Sequence, residues 1–132
     1  MGQGALLITD DDPDLLAVLK GRFEGRGYEV HTASDGNEAF AQLELRRPAL
    51  VLLDIHMPRL DGLVVLREIK ERYPDVCVIA ISGDPNEKVA RLMLAEGASD
   101  FILKPIDMRA LENSVEVNLL VSAAAESELR RP

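Results

Sequence analysis

Four apolar runs of this chain end on residues that could act together chemically. Asp10-Asp11-Asp12 follows the run Ala5-Leu6-Leu7-Ile8, and Asp54 follows Leu50-Val51-Leu52-Leu53. Ser82-Gly83 follows Val78-Ile79-Ala80-Ile81, and Lys104-Pro105 follows Phe101-Ile102-Leu103. Buried β-strands read as such runs, and open parallel sheets bind ligands just beyond the carboxyl ends of their strands. If these runs are neighbouring parallel strands, acids, a hydroxyl and an amine converge on one small site. The chemistry of that set is a divalent cation and a phosphoryl group. Carboxylates are hard oxygen ligands, and magnesium is held by a couple of them plus waters and phosphate oxygens. Crowded carboxylates also resist full ionisation until a cation compensates them. Asp54 stands out because its run is otherwise entirely apolar; it suits a metal ligand, a nucleophile, or both. Phosphoryl transfer needs positioning and charge neutralisation more than a strong base, and Lys104 is placed to neutralise. Gly83 lets backbone approach a ligand beside Ser82. Asp12 is set apart, because Pro13 suits a first helical position and makes Asp12 the cap.

Five strand-like runs, at about 5–10, 28–33, 49–54, 76–82 and 100–104, alternate with five helical patterns. In the first helix Leu15, Leu16, Leu19 and Phe23 recur at helical spacing, and Gly25-Arg26-Gly27 ends it. Asp35 with Glu38 three residues on opens the second, whose inward face is Ala39, Phe40 and Leu43. Asp61-Gly62 opens the third, with Leu63, Leu66 and Ile69 inward. The fourth spans about 86–96, with Val89, Leu92 and Met93 inward and Gly97 as its stop. The fifth starts near Asp107 and turns Leu111, Val115 and Leu119 inward. Five βα units predict a doubly wound, flavodoxin-like α/β fold: a five-stranded parallel sheet covered by helices on both faces. The expected strand order is 2-1-3-4-5, which sets the two acid-terminated strands, first and third, on either side of the switch point.

The chain has 132 residues, enough for one domain with a real core and too few for two. At 47% hydrophobic and 29% charged it matches neither a disordered nor a membrane-spanning chain. No apolar run is long enough for a transmembrane helix, and no signal peptide is visible at Met1-Gly2-Gln3-Gly4. Cys77 is alone, which excludes an internal disulfide and fits a reducing cytoplasm; inside an apolar run it reads as a buried, inert thiol. A net charge of −8 argues against a direct grip on nucleic acid.

Taken together, these residues resemble the receiver domain of two-component response regulators, the CheY-like superfamily. The resemblance covers about residues 5–125, with 126–132 as a C-terminal tail or the start of a linker to a removed domain. Its most specific piece is Leu52-Leu53-Asp54-Ile55-His56-Met57-Pro58-Arg59-Leu60-Asp61-Gly62, similar to the family's phosphoacceptor strand and following loop. Asp10-Asp11 matches the acidic pair, Ser82 the Ser/Thr position, and Gly97-Ala98-Ser99-Asp100-Phe101 through Lys104-Pro105 the end of the domain. The resemblance implies that a sensor histidine kinase or phosphotransfer protein phosphorylates Asp54, with magnesium or manganese required. It assigns Asp11 and Asp54 to the metal through carboxylates, His56 through its backbone carbonyl, and Asp10 mainly through water. Lys104 pairs with Asp54 and then with the phosphoryl group. Ser82 bonds a phosphoryl oxygen, and Phe101, where the family often has tyrosine, rotates into the space its loop vacates. Output is expected through the face made by the fourth helix, fifth strand and fifth helix, to a downstream effector domain or protein. His56 and Asp84, each two residues past a site residue, are expected to rim the phosphoryl group and tune its lifetime.

Beside its core face the last helix carries a second apolar stripe, Val117, Leu120, Val121 and Ala124, which a homodimer or a following domain would cover. The domain implied is a signalling module that catalyses its own phosphorylation and dephosphorylation, not a turnover enzyme. Three other readings are weaker. A magnesium-dependent aspartyl phosphatase or phosphotransferase needs a substrate pocket, and no long insertion supplies one. An interaction module without phosphate chemistry would not need every site position intact. A flavin or nucleotide domain needs a glycine-rich loop where three aspartates stand.

Overall fold

The structure is a computed structural model and describes residues 4–58 and 61–129. Arg59 and Leu60 of the loop after Asp54, and Arg130-Arg131-Pro132, lie outside the described residues. Strands β1 (Ala5–Thr9), β2 (Glu29–Ala33), β3 (Leu50–Asp54), β4 (Cys77–Ser82) and β5 (Asp100–Leu103) alternate with five helices. These are α1 (Pro13–Glu24), α2 (Gly36–Arg46), α3 (Gly62–Arg72), α4 (Glu87–Ala95) and α5 (Met108–Leu129). All strand pairs are parallel, in the order β2-β1-β3-β4-β5 expected from the alternating pattern.

The helices divide between the two faces of the sheet. On one side Leu19 and Phe23 of α1 and Leu111 and Val115 of α5 pack on Leu6, Ile8, Leu52 and Ile79. On the other, α2, α3 and α4 bring Leu43, Leu66, Ile69 and Met93 onto Leu7, Val51, Leu53 and Val78. A strand covered on both faces must be apolar throughout, and β3 is buried at every position. Each leucine of that strand contributes roughly 1.5–3 kcal/mol through burial, and their combined packing carries Asp54 into an almost solvent-free position at the strand end.

The helix starts follow from side-chain caps. Asp12 accepts from the amides of Asp14 and Leu15, Asp61 from Leu63 and Val64, Asn86 from Lys88, and Asp107 from Arg109 and Ala110. Asp35 accepts from Glu38 N, while the Glu38 carboxylate reaches back to Ser34 rather than to Asp35 itself.

Two expectations are altered. In α4 Val89 and Met93 pack inward, but Leu92 is 43% exposed. One residue is about 100° of helix rotation, so seating Met93 turns Leu92 toward solvent. Helix α5 also continues through Leu129, into the stretch expected as a tail; the alanines at 123–125 sustain the helix there. The second stripe on α5 is solvent-facing, with Val117, Leu120 and Val121 all exposed. No helix among the described residues is long and apolar enough to cross a membrane.

Candidate functional site

Strand register sets the site. Thr9 lies opposite Leu53, Asp54 opposite Ile81, and Ser82 opposite Leu103. Asp10, Asp54, Ser82 and Lys104 therefore leave β1, β3, β4 and β5 at one level of the sheet's carboxyl edge. Backbone bonds extend the ladders past the strand ends: Asp10 N donates to Ala33 O, Ile55 N to Ile81 O, and Lys104 N to Ser82 O. Thr9 locks the two acid-bearing strands together. Its hydroxyl donates to Leu52 O at 3.0 Å and accepts from Asp54 N at 3.3 Å.

Asp10 and Asp54 are buried, and Lys104 Nζ bridges them, at 3.0 Å from Asp10 Oδ2 and 3.2 Å from Asp54 Oδ2. The remaining oxygens accept backbone amides, Asp10 Oδ1 from Asp12 N and Asp54 Oδ1 from His56 N, both at 2.9 Å. Asp11 is exposed, and its carboxylate takes no hydrogen bond from the described residues. One ligand oxygen from each of Asp10, Asp11 and Asp54 lies within 4.8 Å of the other two. Burial raises the Asp54 pKa above the ordinary carboxylate value, and the Asp10 charge adds to it. The His56 amide and Lys104 oppose that shift without cancelling it. Burial works against the charged form of Lys104, but its bonds to Asp10 and Asp54 prevail and its pKa is raised.

Ser82, fully buried, closes the other side. Its hydroxyl oxygen lies 2.7 Å from His56 Nε2 and accepts from Asp84 N at 2.9 Å. Asp84 Oδ1 accepts from Asn86 N at 2.9 Å, so this carboxylate is engaged with the turn entering α4. Phe101, half-buried in β5 opposite Ala80, packs on the core face shared with α4. Gly62, at the start of α3, lies close against Ile55: a Cβ there would meet Ile55 Cβ at 2.4 Å and Ile55 Cα at 2.7 Å.

Residues 6–116 match the family model of the response regulator receiver domain. The chain belongs to the receiver domain family of two-component response regulators. This receiver domain is 43% identical over 104 residues to the nitrogen assimilation regulatory protein NtrX of Azorhizobium caulinodans, covering 77% of this chain and 23% of that protein. It is 32% identical over 127 residues to the alkaline phosphatase synthesis transcriptional regulatory protein PhoP of Bacillus subtilis, covering 95% and 53%. The NtrX structure from Brucella abortus superposes with a TM-score of 0.90 at 37% identity, over 98% of this chain and 30% of that one. A CheY-like receiver domain from Methanospirillum hungatei matches over 92% and 97%, with a TM-score of 0.87 at 29% identity. The receiver domain thus spans 23% and 53% of the two curated regulators.

Reasoning from sequence named every side chain gathered at this edge except Thr9, which reads as one more strand residue. Its only signal was its place next to Asp10. The contact between His56 and Ser82 was also missed, because nothing in spacing shows which way an exposed ring in a loop turns.

Proposed function

We propose that this receiver domain accepts a phosphoryl group on Asp54 from a sensor histidine kinase or phosphotransfer protein. The observation that carries this reading is the charge balance at the carboxyl edge. Three carboxylates cluster there, and the two buried ones, Asp10 and Asp54, share the ammonium of Lys104. Such a set fits a divalent cation: the donors are hard oxygens, Asp11 has no hydrogen-bond partner among the described residues, and burial, with the Asp10 charge adding to it, raises the Asp54 pKa. Asp11, Asp54 and the His56 backbone carbonyl would hold magnesium or manganese, with Asp10 acting mainly through water. When bound, the cation supplies positive charge beside the incoming phosphoryl oxygens.

The residues of the chain do the rest. Asp54 presents a carboxylate oxygen to phosphorus, the P–N bond of the donor phosphohistidine breaks, and the imidazole leaves with its electron pair. Lys104 moves from pairing with Asp54 to neutralising the new acyl phosphate. Ser82 donates to a phosphoryl oxygen, its loop is drawn inward, and Phe101 turns into the vacated space. The α4-β5-α5 face then reports the change to an effector domain or protein, or to a second copy of the chain. Asp84 and His56 rim the site and tune the lifetime of the phosphoryl group; equal phosphate loss from the wild type and Asp84→Ala would remove Asp84 from that role. The domain acts in the cytoplasm, catalyses its own phosphorylation and dephosphorylation, and makes no direct contact with nucleic acid.

Incubation with acetyl phosphate and magnesium, read by intact mass, tests the core of this proposal. A single phosphoryl adduct is expected on the wild type and none on Asp54→Asn. An aspartyl adduct persisting on Asp54→Asn would overturn the assignment.

A further inference from the structure

Ser82 is a fully buried hydroxyl with two hydrogen-bond partners among the described residues, Asp84 N and His56 Nε2. A backbone amide can only donate, so Asp84 occupies an oxygen lone pair and leaves the hydroxyl proton to be placed. Among the described residues the one acceptor bonded to this hydroxyl is the imidazole. If Nε2 were itself the donor, the Ser82 proton would be buried without an acceptor, which is more costly than a single hydrogen bond is favourable. Ser82 therefore donates to Nε2, and the imidazole carries its proton on Nδ1.

We infer that His56 is a positioning residue that holds the Ser82 hydroxyl proton in the unphosphorylated domain, in competition with the phosphoryl group on Asp54. This rests on the phosphoacceptor reading above and adds to it a resting-state partner for the switch hydroxyl. Ser82 has one proton. To donate it to a phosphoryl oxygen it must release His56, so the bond between them is part of what phosphorylation has to exceed. A ligand shifts a two-state equilibrium only by its differential affinity for the two states, and this contact belongs to the resting state alone. The placement suits a latch. The His56 amide is tied to Asp54 Oδ1, which anchors the ring to the turn of the phosphoacceptor. The residue is otherwise exposed, so its ring can swing into solvent when the hydroxyl leaves.

Beryllofluoride, a phosphoryl mimic, can be titrated by calorimetry at fixed magnesium into the whole chain. The proteins compared are wild type, His56→Ala, His56→Gln, Ser82→Ala and the double alanine variant. His56→Ala is expected to tighten binding about two- to tenfold, the span of one net hydrogen bond. His56→Gln, whose side-chain carbonyl can accept the same proton, should stay near wild type. On the Ser82→Ala background, His56→Ala should change nothing. Unchanged or weaker binding in His56→Ala, or equal tightening without the Ser82 hydroxyl, would overturn the inference. A wild type that does not bind beryllofluoride would instead bring down the Asp54 reading, and this one with it. Imidazole nitrogen shifts of the unphosphorylated protein, about two pH units above the ordinary histidine value, give a second reading. The Nδ1–H tautomer is expected, lost in Ser82→Ala; an Nε2–H tautomer contradicts the latch.

Discussion

Two sets of carboxylates in this domain have opposite electrostatic fates. At the carboxyl edge of the sheet Asp10 and Asp54 share the ammonium of Lys104, with the Asp11 carboxylate clustered beside them. Where α1 meets α5, the single carboxylate of Glu112 is gripped by two guanidiniums, Arg22 on one oxygen and Arg26 on the other. Burial dominates at the first site and raises the Asp54 pKa. At the second, the hydrogen bond from Arg22 dominates, with Arg26 adding to it, and the Glu112 pKa is lowered. A carboxylate with surplus cation is structure: it joins two helices and has nothing left to bind. A cluster with surplus carboxylate is what the proposed metal and phosphoryl chemistry needs, because added positive charge would stabilise it.

Removing Lys104, the one cation paired with the starved cluster among the described residues, is the severest way to break the contrast. Lys104→Met leaves Asp10 and Asp54 without an ammonium. Magnesium then faces no competing charge and is expected to bind more tightly, by about tenfold for a neighbouring unit charge in a partly buried site. Beryllofluoride affinity should move the other way and fall at least about tenfold, because the phosphoryl mimic loses a charge-assisted hydrogen bond. Both are read in one calorimetric series. If magnesium affinity does not rise, Lys104 does not compete with the metal for these carboxylates.

The two pKa directions predict pH slopes of opposite sign in the metal-free protein. Asp54 has a folded pKa above its unfolded value, so the folded state binds more protons between the two. Its penalty is absent below the unfolded value and complete above the folded one, and stability falls as pH rises through that window. Asp54→Asn should flatten this limb and raise Tm at neutral pH without metal. Glu112 has a folded pKa below its unfolded value, so its contribution is present above the unfolded value and lost as pH falls through the folded one. Glu112→Gln should lower Tm at neutral pH and leave it unchanged in strong acid. Thermal unfolding of the three proteins from acid to neutral pH checks both signs, and parallel curves would show that neither group carries its predicted slope.

The two groups were not equally legible in the sequence. The starved cluster lies at strand ends, where an apolar run stopping on an acid is visible without coordinates, and topology alone brings those ends together. The strand order, the caps at Asp12, Asp35 and Asp61, and the convergence of Asp10, Asp54, Ser82 and Lys104 all follow from that local grammar. The clamp has no such grammar. Arg22, Arg26 and Glu112 lie on helices with many other charges, about ninety positions apart, and only the packing of α1 beside α5 selects them as partners. Leu92 failed for a related reason: an apolar stripe wider than the buried face does not say which member turns outward, and Met93 takes the core position. The orientation of His56 toward Ser82 depends on one loop rotamer, which periodicity does not encode.

Salt should separate the two groups by the smallest margin, and the direction is set by exposure. Arg22 and Arg26 are about half exposed, at 51% and 55%, though the carboxylate they hold is buried. Mobile ions can reach the guanidiniums, and at about 1 M salt the screening length shrinks to roughly 3 Å. The Tm gap between wild type and Glu112→Gln should therefore narrow as salt rises. Asp10 and Asp54 are almost inaccessible, so the gap between wild type and Asp54→Asn should change less over the same series, provided the salt carries no divalent cation. Sodium chloride titrations with chelator present give both gaps from one set of melts. Equal narrowing would mean that solvent screens the carboxyl edge as freely as it screens the clamp. The uncompensated charge there would then be too weakly held to act as a metal and phosphoryl site, and a gap that survives salt is what burial of Asp10 and Asp54 requires.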